Sequence, residues 1–414
     1  MQDSSKYAVG IDIGTTTVRC VVGHIDNTSG TPTIVGVGQA PNSGMRKGMV
    51  VNLSGPGHAI DEALGEAERM SGYQVDDATL SINGSNILST KTDGMIATSG
   101  TDHAISQDDL ARLQEVSTVG KVPANRQVLE VVPHSYRLDG QDNIKDPINM
   151  TGTRLEMRAN VISVLTPTIQ NLQKASELAT VNPRIVMPSV MAAANAVLTE
   201  SQVENGVALV DLGGATTSIA IYEEGDLQYL SVIPAGGINI TNDLAIGLKT
   251  DPEIAEKVKL AHASAMPVDG SSGVTIKHEN ETHSFKIDDV NDIVGARLDD
   301  MFENIQKELK KAGRAGKLPS GVVLTGGTAK IKHIAEYTKQ SLGLAARVAK
   351  PSGYGGVTDN IDTPEFATAI GLMLVDSQGN FGENSGQGRS SGKSAKKIGD
   401  AKNALSKFLD RFRA

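Results

Sequence analysis

The feature that most constrains this chain is a short pattern that occurs twice. Residues Gly10-Ile11-Asp12-Ile13-Gly14-Thr15-Thr16-Thr17 are answered by Val210-Asp211-Leu212-Gly213-Gly214-Ala215-Thr216-Thr217. Each copy ends an apolar, alternating run with Asp, an apolar residue and Gly, and each places a Thr five residues after the Asp. The two Asp residues lie 199 positions apart in a chain of 414, so the pattern predicts a duplicated core. In a strand, successive side chains point to opposite faces. Asp12 and Asp211 therefore leave the packed face that their apolar neighbours occupy. Glycine allows the backbone to approach an anion closely with its N–H groups turned inward. The threonine hydroxyls add donors, and a strand-end carboxylate suits Mg²⁺ held through water or an oriented water molecule. Two such hairpins facing each other would grip a polyphosphate from both sides. No Gly-Lys-Ser/Thr follows either copy, and a second strand, not a helix, follows each turn. Both the Walker loop and the dinucleotide fingerprint are thereby excluded.

A third element supports the reading. Residues 321–324 read as a buried strand that breaks into Thr325-Gly326-Gly327-Thr328, a loop suited to close approach to a flat base and its ribose. Around these, the periodicity predicts helices over 54–71, 107–117, 166–178, 187–198, 241–262, 288–312, 331–342 and 362–375. Strands are expected at 7–23, 80–83, 128–137, 158–165, 206–212 and 218–222, with a further strand-like stretch near 270–286. Ser106 with Asp109 predicts a cap for the second helix, and Pro167 suits the first turn of the third. Strand, insert, helix, strand and helix in this order indicate an α/β architecture.

Composition limits the rest. The single cysteine, Cys20, alternates with Val18 and Val22 and reads as a small buried hydrophobe, so neither a disulfide frame nor a cysteine zinc site is available. The eight histidines show no metal-ligand spacing. No apolar run approaches the roughly 18 residues that a membrane span needs, and residues 1–6 lack the apolar core of a signal peptide. A cytoplasmic protein is expected. Net charge is −9, but residues 389–414 carry eight Lys/Arg and two Asp, a local +6, which leaves −15 for the remainder. An acidic body argues against nucleic acid as a partner, and the basic end calls for an anionic one. Residues 376–397, rich in Gly, Ser, Asn and Lys, predict a flexible linker. Beyond it Ile398, Ala401, Leu405, Phe408, Leu409 and Phe412 form one helical stripe, with Lys402, Lys407, Arg411 and Arg413 mostly elsewhere around the helix. A basic amphipathic helix on a tether fits the headgroup region of an anionic lipid membrane.

Three elements in this order resemble the superfamily of actin, sugar kinases and heat-shock chaperones. Within it, the chain resembles the FtsA family of bacterial cell-division proteins over about residues 6–375 and again in the tail. The most specific stretch runs from Val131-Val132-Pro133-His134-Ser135-Tyr136 to Asp146-Pro147, followed by Met150-Thr151-Gly152-Thr153-Arg154-Leu155. It is similar to the family's inserted subdomain, and Met45-Arg46-Lys47-Gly48 before Val50 is also similar to the family.

The resemblance implies an actin-like duplicated two-domain fold with a nucleotide cleft, an inserted α+β subdomain and a C-terminal amphipathic helix on a disordered linker. The expected divisions are 1–78 with 163–198 for the first domain and 79–162 for the insert. The second-domain core takes 199–242 with 320–375, and its subdomain 243–319. The linker is 376–397 and the membrane-targeting helix 398–414. ATP with Mg²⁺ is the implied cofactor. Asp12, Gly14, Thr15, Thr16 and Thr17 would form the first phosphate loop. Asp211, Gly213, Gly214, Ala215, Thr216 and Thr217 would form the second, with Asp12 and Asp211 in the Mg²⁺ or water-orienting role. Gly236 and Gly237 would lie beside the ribose, Glu256 and Lys259 would edge the adenosine, and Gly326, Gly327 and Thr328 would form the adenosine loop.

Where the family's second loop reads Gly-Gly-Gly-Thr, a residue, then Asp, this chain has Ala215 and Ser218. ATP binding with weak or conditional hydrolysis is therefore expected. The implied partners are the C-terminal peptide of FtsZ, docking between about 243 and 319, other copies of the chain, other division proteins and the lipid surface, at the cytoplasmic face of the membrane at the septum. A pilus-assembly ATPase relative with a similar insert, or a small-molecule kinase of the superfamily, remain the alternatives. No acid motif for the latter is evident.

Overall fold

A computed structural model describes residues 6–25, 31–100, 102–267, 273–279, 281–356 and 361–382. The amphipathic stripe at 398–413 and the linker from 383 onward lie outside the described residues. Among them, no helix is long and apolar enough to cross a membrane.

The chain begins with the hairpin β1 (Lys6–Ile13) and β2 (Thr17–Ile25), followed by β3 (Thr33–Pro41), the short pair β4 (Met45–Arg46) and β5 (Met49–Val50), α1 (Ser54–Ser71) and β6 (Asp77–Ile82). The insert follows: β7 (Leu88–Ala97), α2 (Gln107–Thr118), β8 (Arg126–Leu138), β9 (Gln141–Ile144) and β10 (Arg154–Leu165). The path returns through α3 (Thr166–Leu178), β11 (Asn182–Pro188) and α4 (Ser189–Val197). The second half holds α5 (Glu200–Asn205), β12 (Val207–Leu212), β13 (Thr217–Glu223), β14 (Asp226–Ile233), α6 (Gly237–Leu248) and α7 (Pro252–His262). The hairpin β15 (Gly273–His278) and β16 (Glu281–Lys286), α8 (Ile287–Lys311), β17 (Val322–Thr325), α9 (Ile334–Leu342), β18 (Ala346–Val348), β19 (Gly355–Gly356) and α10 (Ala367–Gly382) complete it.

Two mixed sheets carry the duplication. The first has the strand order β11-β6-β1-β2-β3-β19, the second β14-β13-β12-β17-β18. The hairpin registers match across the halves: Asp12 faces Arg19, seven residues on, and Asp211 faces Ser218, also seven on. The first sheet and one face of the second, with Leu209, Ala220 and Val323, share an apolar core built mainly of Val, Ile, Leu and Ala; the other face of the second sheet packs on a core of its own, and the insert forms a separate four-stranded sheet, β7-β10-β8-β9, over a small core around Leu113, Leu155 and Met157. Cys20 is fully buried, as its alternation predicts. The helices expected at 54–71 and 166–178 have those bounds, and Ser106 and Asp109 make a reciprocal capping box.

Several expectations are corrected. Residues 80–83 were expected inside the insert, but β6 pairs with β1 and β11 in the first sheet. A strand flanked on both sides by parallel partners is buried on both faces. The helix expected from 187 starts at Ser189, because Met187 and Pro188 still pair with β6. The span 241–262 divides into α6 and α7 at Lys249, which adopts a left-handed conformation at φ +52°. The helix expected from 331 starts at Ile334, after a 3₁₀ turn at Gly327–Lys330, and ends at Leu342 as expected. The last helix begins at Ala367, after a 3₁₀ turn at Pro364–Phe366, and runs to Gly382, with Asp376 and Ser377 buried. The expected linker at 376–397 thus starts as helix. That helix, assigned by its position to the second domain, packs on β1 of the first. A Cβ on Gly10 would sit 2.2 Å from the Ala369 carbonyl oxygen, so glycine is what allows this approach.

Candidate functional site

The two hairpins converge. A Cβ on Gly214 would fall 2.7 Å from the Thr16 hydroxyl, so the turns of the first and second halves touch. Each turn is braced differently. On the first, the Gly48 amide donates to Thr15 Oγ1 (3.0 Å) and Asn42 Nδ2 donates to the Gly14 carbonyl (2.7 Å). On the second, the Gly213 carbonyl accepts from the Gly237 amide (3.0 Å) and from Thr328 Oγ1 (2.9 Å), and the Gly214 carbonyl accepts from the Ile238 amide (2.7 Å). Gly236 can sit here only as glycine, because a Cβ would come within 2.6 Å of the Gly213 carbonyl oxygen. Thr217 Oγ1 donates to the Ala235 carbonyl at 2.9 Å.

The loop after β17 closes the third side. Gly326 adopts φ +86°, a left-handed conformation, and a Cβ there would lie 2.3 Å from Asp211 Oδ1. The Gly326 amide and Thr325 Oγ1 both donate to the Pro364 carbonyl. Lys259 Nζ donates to Glu256 Oε2 (2.7 Å), Thr241 Oγ1 (2.8 Å) and the Gly237 carbonyl (3.2 Å). Gly237 itself lies against Thr328. The pair Glu256/Lys259, one helical turn apart on α7, is therefore a network member at the edge of the cleft. The residues anticipated at Asp12, 14–17, Asp211, 213–217, 236–237, 256, 259 and 326–328 thus occupy one region of the molecule.

The electrostatics of the cleft are set by two carboxylates. Burial raises the Asp12 carboxyl above its ordinary range, opposed by a hydrogen bond from Ser81 Oγ (2.8 Å) and by the Arg19 charge. Asp211 is pushed up to about 7, first by burial and then by the negative charge of Asp12, again opposed by Arg19. Neighbouring like charges disfavour joint ionisation. Their oxygen donors suit a hard divalent cation carried in with phosphate groups, which would relieve that repulsion. Among the described residues, no cluster of three or more His, Cys, Asp or Glu is positioned to hold a metal by itself.

Three contributors escaped the sequence reading. Arg19 lies opposite Asp12 in the hairpin, its guanidinium 5.4 Å from the centre of the Phe366 ring. Ser81 holds Asp12 and accepts from the Ile13 amide at 2.8 Å. Asn83 donates to Thr216 Oγ1 (3.1 Å) and accepts from Ser218 Oγ (3.2 Å), bridging the halves. A signal was available: Thr79, Ser81 and Asn83 are polar at every second position of an apolar strand. The basic tail residues and their apolar stripe lie outside the described residues.

A duplicated α/β fold that closes two strand–turn–strand loops and a glycine loop on one cleft defines the class of actin-like proteins. Solved structures of that class are similar in fold. A "PilM-PilN type IV pilus biogenesis complex" has a TM-score of 0.66 at 16% identity over 89% of this chain and 98% of that one. MreB5 of Spiroplasma citri bound to ADP has a TM-score of 0.56 at 12% identity, covering 92% and 99%. The family is more specific. Residues 208–371 match the model for "Cell division protein FtsA", and residues 84–163 match "SHS2 domain inserted in FTSA". The cell division protein FtsA of Pseudomonas aeruginosa is 32% identical over 375 residues, 90% of this chain and 89% of that protein. That of Bacillus subtilis is 34% identical over 375 residues, covering 90% and 83%. The chain belongs to the FtsA family of cell division proteins.

Proposed function

We propose that this protein binds ATP with Mg²⁺ between its halves, associates with copies of itself into actin-like filaments, and anchors FtsZ to the cytoplasmic face of the cell membrane at the division septum. The observation that carries the nucleotide reading is the convergence of Asp12, Asp211, Gly236 and Gly326 on one cleft, in a fold that an ADP-bound protein shares. In that cleft the turns at 14–17 and 213–217 flank the phosphates, and Gly326–Thr328 with Glu256 and Lys259 border the adenosine. Mg²⁺, held through water by Asp12 and Asp211, would supply charge neutralisation of the phosphates. Ser218, where the family has Asp, removes a carboxylate from the cleft and places a hydroxyl against Asn83 instead. Hydrolysis is accordingly weak or conditional, and nucleotide acts as a switch for assembly more than as a fuel.

The membrane attachment rests on the basic amphipathic stripe at 398–413. Four cations near an anionic surface contribute roughly 1 kcal/mol each, enough for reversible attachment. FtsZ docks through its C-terminal peptide on the region 243–319, where Leu260, Ile276, Lys257 and Lys277 line a shallow cleft. Family membership supports this reading over the pilus-assembly and small-molecule kinase alternatives.

The test is co-sedimentation of FtsZ with anionic vesicles, with and without this protein and ATP. FtsZ is expected in the pellet only when the full chain is present, and removal of residues 395–414 is expected to abolish recovery of both. No recruitment by the full chain would eliminate the anchoring role. Retention of the truncated chain on vesicles would eliminate the tail as the attachment. Robust multiple-turnover hydrolysis by the protein alone would overturn the switch reading.

A further inference from the structure

β6 carries a polar face through an otherwise apolar sheet. Its residues at alternate positions share that face, and three in succession are hydrogen-bonded to three different parts of the molecule. Thr79 Oγ1, fully buried, donates to Asp376 Oδ1 on α10 at 2.8 Å. Ser81 Oγ, 1% exposed, donates to Asp12 Oδ1 of the first hairpin at 2.8 Å. Asn83, just past the strand end, exchanges hydrogen bonds with Thr216 and Ser218 of the second hairpin. Asp376 is also the acceptor for the Val9 amide (2.9 Å) and for Arg184 Nη1, 2.8 Å from both its oxygens, so the last helix is fixed to β1 and β11 at the same point. Along about 13 Å of one strand, the two sides of the cleft and α10 are connected by polar contacts, buried at Thr79 and part-buried at Ser81 and Asn83.

A buried hydrogen bond that loses its partner is costly, so such a row does not yield one link at a time without penalty. The arrangement has two ends that can be biased separately. One is the seating of the second hairpin on Asn83, which depends on how far the halves close. The other is the seating of Asp376, inside α10 and six residues before its last one, Gly382. The insert begins at the same place: the Gly84 amide donates to Asn83 Oδ1 at 2.8 Å.

We propose that β6 couples nucleotide occupancy to the last described helix: closing the second hairpin onto Asn83 tightens the Thr79–Asp376 junction, and opening it loosens α10 around Asp376. Thr79, Ser81 and Asn83 are positioning residues in this scheme. The proposal rests on the reading of the cleft as a nucleotide site.

The experiment is hydrogen exchange of the full chain with and without saturating Mg²⁺·ATP, read at the Val9 amide and across residues 374–378, with nucleotide binding measured in parallel by calorimetry. In the wild type, exchange at these amides is expected to slow about fivefold on binding, the size of one ordinary hydrogen bond. Asn83→Ala is expected to lose the slowing at a nucleotide concentration that calorimetry shows to saturate that variant. Thr79→Val is expected to lose it as well, and Thr79→Ser, which keeps the hydroxyl, to restore it. Should Thr79→Val not fold, Asn83→Ala and Thr79→Ser decide the matter. Binding with unchanged exchange at 9 and 374–378, or the same slowing in Asn83→Ala, would overturn the coupling while leaving the nucleotide site intact. No binding by the wild type would remove the nucleotide reading and this proposal together.

Discussion

The two hairpins share a register and differ in what holds their carboxylates. Asp12 has a hydroxyl partner in Ser81 and a guanidinium facing it across the hairpin. Asp211 accepts no hydrogen bond among the described residues, faces Ser218, and carries the repulsion of Asp12. The first turn is held by the Thr15 and Asn42 side chains and by the Asn42 amide on the Thr16 carbonyl, the second by backbone carbonyls gripped from α6 and the loop after β17. Duplication has thus preserved the backbone and divided the duties. One carboxylate has a hydrogen-bond partner, and the other has none among the described residues.

The largest expected effect tests that division. With a folded value near 7 and an ordinary one near 3.8, Asp211 holds its proton more tightly in the folded state than in the unfolded one. Its contribution is fully favourable below about pH 4 and is lost as pH rises toward 7, by at most ~4 kcal/mol. Asp211→Asn is expected to flatten the decline in thermal stability of the nucleotide-free protein between pH 4 and 7. Asp12→Asn, by removing the neighbouring charge, is expected to move the midpoint of that decline to lower pH. Equal slopes in wild type and Asp211→Asn would mean that the two carboxylates are equivalent.

Next comes Gly326→Ala, which places a strained φ and a clash with Asp211 in one residue. A loss of ~1–3 kcal/mol in stability is expected, with a tenfold or greater fall in nucleotide affinity. Calorimetry and thermal melts check both, and affinity unchanged from wild type would place the base elsewhere. The smallest effect is Ala215→Gly. Ala215 keeps an ordinary negative φ, so glycine should only loosen the unfolded chain, costing ~0.4–1 kcal/mol in a denaturant titration. A gain in stability instead would show that the methyl group strains the second turn.

Much of this was legible from residues alone. The pair of Asp hairpins, the helices at 54–71 and 166–178 and the Ser106 cap are local signals, set by period and capping chemistry. What escaped was tertiary. β6 reads as a strand that alternates polar and apolar residues, and nothing within it says that it pairs with β1 and not with the insert that follows. α10 is apolar and small-residued, and its partner, Gly10, lies more than 350 positions away. Arg19 was passed over because its meaning depends on the hairpin register that brings it opposite Asp12. Asn83 was missed because its hydrogen-bond partners belong to the other half.

The return of α10 to the first sheet also sets an order of assembly. Domains generally fold as units while the chain is made, N-terminal parts first. Here the sheet that is synthesised first has Gly10 and Gly23 pressed against Ala369 and Met373, residues made nearly last. The second sheet, from β12 to β18, is complete in sequence before that helix exists. The face of the first sheet that α10 covers therefore stays open until that helix is made, while α1 already lies on β3. The strand bearing Asp12 receives its final support only when the last helix emerges, so a chain cut short before residue 367 lacks a finished first half, although every residue of that half has been made.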